Sequence, residues 1–164
     1  MFLLILAIRD LKKKFIGVPR LPWISTKTPP WDEAGAGLHD EGIDRLLAEL
    51  DSYGKQVWLP FHHEPEGGGG INSPDDPSGA AGWRSMQSRV RQRMDALETQ
   101  NIAFAPILMA FTWHSSFGRT PDDWWVPDIW DFYGIDHYRD DESGDMFTSP
   151  SINAFNASIA IPRA

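Results

Sequence analysis

No cysteine occurs among the 164 residues, which rules out disulfides and thiolate metal sites while leaving the cellular compartment open. No apolar run near the start approaches the roughly 20 residues of a membrane span; Phe2 to Ile8 in "MFLLILAIRDLKKKF" stops far short. Positive charge follows that run where an export signal would carry it in front, and no small-residue cleavage site comes after it. Basic residues are scarce: 15 Lys and Arg stand against 23 Asp and Glu, a net charge of -8. Beyond Lys12 to Lys14 and Arg84 to Arg93 they do not cluster. That argues against nucleic acid as a partner and leaves an acidic surface that favours solubility. Nothing in the composition suggests a membrane partner. At this length one hydrophobic core, and hence one domain or part of one, is expected.

What is present begins with eight tryptophans. They suit either a packed core or the stacking of sugar rings on aromatic faces. Three strand-length apolar segments recur, "QVWLPFHH" at 56–63, "IAFAPILMAFTW" at 102–113 and "IWDFYGIDHY" at 129–138, with a weaker one, "RLPWISTK", at 20–27. They are nearly continuous apolar runs, as parallel strands covered on both faces would be. Between them lie helical patterns. Ile43, Leu46, Leu47, Leu50 and Tyr53 share one face ahead of a terminating Gly54, and Trp83, Met86, Val90, Met94 and Leu97 form a second stripe with arginines opposite. In "TPDDWW", Thr120 can cap, Pro121 fits the first helical position and Asp123 completes a capping box, so a short helix is expected. The alternation predicts an α/β fold with a parallel sheet. Polar and aromatic residues gather at the strand ends and no glycine-rich phosphate loop follows any strand. Both details favour a (β/α) barrel over a doubly wound sheet.

In a barrel, residues at the C-terminal ends of the strands converge on one pocket. Here those are Lys27, then His62, His63, Glu64 and Glu66, then Thr112, Trp113 and His114, then Asp136, His137 and Tyr138. Glu64 lies between Phe61 and Pro65 near the end of an apolar strand. Partial burial would raise its pKa and keep it able to donate a proton to a leaving oxygen; the alternative is a strand-end acid capping the next loop. His62 and His63 could ligate a metal with Glu64, Asp136 or His137. Against this, neighbours on an extended strand face opposite ways, and neither an H-x-H nor an H-E-x-x-H pattern occurs, so no metal is assigned. Gly134, Asp136 and Tyr138 alternate onto one face, where the glycine would leave room for a ligand.

The segments "VWLPFHHEPEGGG", "GWRSM", "NIAFAPILMAFTW" and "DDWWVPDIWDFYGIDHY" resemble the consecutive middle strands of glycoside hydrolase family 26, the β-mannanase family of clan A. The resemblance covers about residues 20–147, leaving 1–19 and 148–164 as segments without it. It implies a partial (β/α)8 TIM barrel and retaining hydrolysis of a β-linked polysaccharide such as β-mannan, with no cofactor. By that resemblance Glu64 is the catalytic acid/base, while His62, His63, Trp113, Asp136 and Tyr138 bind substrate. Members are commonly secreted. The family nucleophile ends the seventh strand, and the tail "FTSPSINAFNASIAIPRA" contains no strand ending in Glu. The expectation is therefore a fragment holding strands three to six and the acid/base half of the site, its nucleophile unassigned and its isolated sheet prone to association. Two other readings remain: a non-catalytic carbohydrate-binding remnant stacking sugars on Trp58, Trp113, Trp124 and Trp125, and a metal-dependent hydrolase using His62, His63 and His137.

Overall fold

A computed structural model describes residues 28–67, 74–109, 112, 120–132 and 134–136. The expected strand at 20–27, the terminal segments and the candidate residues Lys27, Trp113, His114, His137 and Tyr138 lie outside the described residues. In chain order the elements are α1 (Trp31–Gly35), α2 (Asp40–Asp51), β1 (Val57–Leu59), α3 (Gly79–Ala96), β2 (Ile102–Phe104), β3 (Ile107–Met109), a 3-10 turn (Pro121–Trp124) and β4 (Gly134–Asp136).

The chain is mixed α/β with parallel strand pairing. β1 pairs with β2 in the register Val57 to Ile102 and Leu59 to Phe104, and β3 pairs with β4 in the register Ile107 to Gly134 and Met109 to Asp136. β2 and β3 are one apolar stretch whose hydrogen-bonding partner changes at Ala105 and Pro106. Ala105 N–H still donates to Leu59 O (3.2 Å), while Pro106 O already accepts from Gly134 N–H (3.0 Å). Pro106 has no N–H to give, so the ladder is interrupted where the partner changes. Asp131 bridges the change: its Oδ2 accepts from Phe104 N–H (2.7 Å) and from Arg91 Nη2 (2.8 Å), and its own N–H reaches Phe104 O (2.9 Å).

Period-2 alternation sends Val57, Leu59, Ile102, Phe104 and Leu108 into the core, where Ile43, Leu47 and Leu50 of α2 and Trp83, Met86, Val90 and Met94 of α3 meet them. The helical stripes read from the sequence therefore face the core, with Leu46 and Tyr53 partly buried against it and Leu97 left out. That residue caps α3 and stays 39% exposed because the helix ends at Ala96. Gly54 does adopt a left-handed φ of +67° just past α2. The short helix at 121–124 forms with Thr120 Oγ1 accepting from Asp122 N–H (3.3 Å) and Pro121 opening it.

Among the described residues the tryptophans settle largely into packing. Trp31, Trp83 and Trp124 are buried and meet edge to face, and Trp130 leans on Trp83 and Phe104. Trp124, counted above among possible sugar platforms, is thus core. Helix α1 was not anticipated. It is one turn long, too short for periodicity to show, and it packs on α3 through Gly35. A Cβ at Gly35 would stand 2.8 Å from Ser85 Cβ and 3.1 Å from the Ser85 carbonyl carbon, atoms that cannot step aside. Gly35→Ala is expected to cost about 1–3 kcal/mol, the scale of overpacking, measured by urea unfolding. A loss below about 0.5 kcal/mol would mean that α1 shifts freely.

Candidate functional site

β1 ends sooner than its apolar run suggests. Phe61 makes the last bridge, and His62 and Glu64 then take left-handed backbone conformations, φ +63° and +52°. Neither residue is glycine or asparagine, so the segment carries backbone strain that the surrounding contacts must offset. The sequence expectation of an extended 56–63 is corrected here: residues 62–67 are turns, and strand alternation no longer decides which way the two histidines point. Helix α3 receives the strand end through side chains. Buried Gln87 donates its amide to Phe61 O, and Trp83 Nε1 donates to His62 O (3.4 Å).

His62 turns toward α1 and the loop before α3. Its Nδ1 lies 2.8 Å from Thr28 Oγ1, its Nε2 lies 3.0 Å from Asp75 Oδ2, and the Trp31 indole stands edge-on at 4.9 Å between centroids. Both ring nitrogens thus meet protein groups. His63 goes the other way, with Nε2 3.8 Å from Glu64 Oε2. Glu64 is partly enclosed, its side chain 19% exposed, and its N–H donates to Ile107 O (2.8 Å) on the neighbouring strand.

The most enclosed carboxylate here is Glu66, 2% exposed, whose Oε1 accepts from Met109 N–H (2.8 Å) and Thr112 Oγ1–H (2.6 Å). The β3–β4 register sets Asp136 beside Met109. The ends of β1, β3 and β4 therefore assemble Glu64, Glu66, Thr112 and the backbone of Asp136 along one edge. Gly134 was expected to leave room for a ligand. A Cβ there would stand 3.2 Å from Ile107 Cγ1, so the glycine makes space for its strand neighbour. Among the described residues no three His, Asp or Glu side chains converge as a metal site requires.

Asp76 ties this region together. Its Oδ2 accepts from Trp31 N–H (3.1 Å) at the start of α1, and its Oδ1 from Ser78 N–H (2.8 Å) and Ser78 Oγ (2.5 Å) just before α3. Burial works against its charge, but the Ser78 and Trp31 hydrogen bonds outweigh it and lower its pKa. A depressed carboxylate pKa stabilises the fold above the ordinary aspartate value, and that stabilisation is lost as pH falls through the lower folded value. Asp76→Asn is expected to lower the urea midpoint at pH 7 and to shrink the further drop between about pH 4 and pH 2. An unchanged acid limb would show that Asp76 contributes nothing to it.

Away from these strand ends, Arg91, Met94, Gln100, Ile102 and Asp131 contribute to a groove of about 480 Å³ where β2 begins. Arg91 there is already engaged by Ile129 O (2.7 Å) and by Asp131. The groove thus lies where β2 begins, while Glu64 and Glu66 follow the other end of β1.

Thr28, Asp75 and Asp76 escaped sequence reasoning, because nothing in "TPPW" or "PDDPSG" marks a residue that reaches back to a strand end. The chain matches no model of a known protein family, and no curated protein matches it.

Proposed function

We propose that Glu64 is the general acid/base of a glycoside hydrolase acting on a β-linked polysaccharide such as β-mannan, and that the parallel strands are an arc of a (β/α)8 barrel. The observation that carries this reading is the strained, partly enclosed presentation of Glu64 at a parallel strand end, with His63 beside its carboxyl. Strain of this kind clusters where a side chain must point in a direction that relaxed backbone would not give it. Parallel pairing of strands that follow one another in the chain, β1 with β2 and β3 with β4, supports the barrel part of this reading.

In this role Glu64 protonates the glycosidic oxygen as the bond breaks and then removes a proton from the attacking water. His63 and Asp136 help to line the sugar subsite with Trp113 and Tyr138, whereas His62, both of whose nitrogens meet protein groups, positions the turn. A retaining reaction needs a second carboxyl about 5–5.5 Å from the first, and no residue is assigned to it.

The test is incubation of the full chain with soluble β-mannan and other β-linked glycans, reading new reducing ends and the anomer first formed. Release with retained configuration is expected where a second carboxyl completes the pair with Glu64. Binding without release from any glycan would favour the carbohydrate-binding reading, and activity lost to a chelator would favour the metal-dependent one.

A further inference from the structure

We propose that Glu66 is a positioning residue for Glu64, its buried carboxylate clipping the turn that carries Glu64 onto the end of the neighbouring strand. The catalytic part of this inference rests on the acid/base reading of Glu64; the mechanical part does not.

Glu64 opens a tight turn that closes through Gly67 N–H to Glu64 O (3.0 Å), with Pro65 and Glu66 at its corners. One anchor precedes the corner, Glu64 N–H to Ile107 O (2.8 Å). A second follows it, Glu66 Oε1 to Met109 N–H (2.8 Å) and Thr112 Oγ1–H (2.6 Å). Both anchors land on residues 107–112, so Glu64 is stapled on either side to one neighbouring stretch. Gly67 shows the same seating independently: a Cβ there would stand 2.8 Å from Met109 Sδ and 3.2 Å from Glu64 O.

A carboxylate enclosed to this degree is costly, and donors aimed at it offset that cost with charge-assisted bonds. The donors in this case belong to the adjoining strand end, so the stabilisation they provide is also what fixes the turn. Without it, the left-handed backbone at Glu64 has an incentive to relax, and the direction of its carboxyl goes with it. A general acid must meet the leaving oxygen within hydrogen-bond reach, and a displacement of about 1 Å can cost on the order of 10²-fold in rate.

The experiment compares the full chain with Glu66→Ala, Glu66→Gln and Thr112→Val. Amide hydrogen exchange is read at Glu64, Gly67 and Met109, with α3 amides as internal reference. Glu66→Ala is expected to speed exchange at all three by about tenfold or more, the factor for one lost charge-assisted hydrogen bond, while α3 is unchanged. Glu66→Gln keeps a carbonyl acceptor and should retain most of the protection. Should Glu66→Ala disturb α3 as well, Thr112→Val decides the matter, removing one donor without altering the turn and speeding the same amides by a smaller factor.

In parallel, hydrolysis of an unactivated β-linked oligosaccharide is compared with that of a dinitrophenyl glycoside, whose leaving group needs no proton. Glu66→Ala should slow the first by about 10²-fold and the second little. Unchanged exchange at Glu64 and Gly67, or an equal fall on both substrates, would overturn the proposal. If the unaltered chain cleaves neither substrate, the glycosidase reading fails, and exchange still decides whether Glu66 holds the turn.

Discussion

Glu64→Gln is expected to lower turnover of an unactivated β-linked oligosaccharide by about 10²–10⁴-fold, the contribution of a positioned proton donor, while leaving glycan affinity nearly intact. The amide has almost the shape of the acid and can still hydrogen-bond the sugar, but it has no proton to give. The loss should therefore appear in kcat, not in KM. Steady-state kinetics together with calorimetric binding would show it. Unchanged turnover would remove Glu64 from the chemistry and with it the main reason for reading this strand end as an active site. Because Glu64 N–H, and not its side chain, makes the bond to Ile107 O, the substitution should not disturb the turn. A fall in kcat accompanied by a large fall in melting temperature would point to structural damage instead.

The second large effect belongs to the core. Trp83→Ala is expected to destabilise the chain by about 3–5 kcal/mol, because a fully buried indole that meets Trp124 and Trp130 leaves a cavity its neighbours cannot fill. The same substitution removes the Nε1 donor that holds His62 O. Urea unfolding monitored by circular dichroism would measure the loss, and a value below about 1 kcal/mol would show that α3 closes over the gap. Since the backbone of His62 leads directly into Glu64, the damage should reach the strand end as well as the core.

How much of this was legible in advance depends on the range of the interactions. Helices α2 and α3 follow from local periodicity, and their stripes, Leu97 excepted, are the faces the core covers. The cap at Thr120 is likewise local and needed no partner. Strand extents were overestimated, because apolar runs report burial and not pairing. The run from 56 to 63 continues in composition after the ladder has stopped, and only the left-handed backbone at His62 shows where. Among the candidate residues, Glu64 stood out by its neighbours in sequence. The burial of Glu66 did not, since it depends on Met109 and Thr112, some forty residues away. His62 was placed among sugar ligands for the same reason: its contacts with Thr28 and Asp75 lie beyond any local pattern. Gly134 illustrates the converse, a local inference of empty space that a side chain on the next strand fills.

The two arginines of α3 that face α2 also set how these helices sit along one another. Arg89 forms a two-pronged pair with Asp40, and Arg93 forms another with Asp44 at 2.7 Å on both prongs. Asp40 is held below the ordinary carboxylate range by the Arg89 hydrogen bond. Partners spaced four apart on both helices are matched here in ascending order, with the helices parallel and in one alignment. Sliding by a single turn, about 5.4 Å, would leave one acid and one base unmatched. An antiparallel arrangement would nevertheless match them equally well, Asp40 with Arg93 and Asp44 with Arg89. The charges therefore work like notches on a rule, setting position along the axis but not direction, and direction is left to the strand that joins the helices.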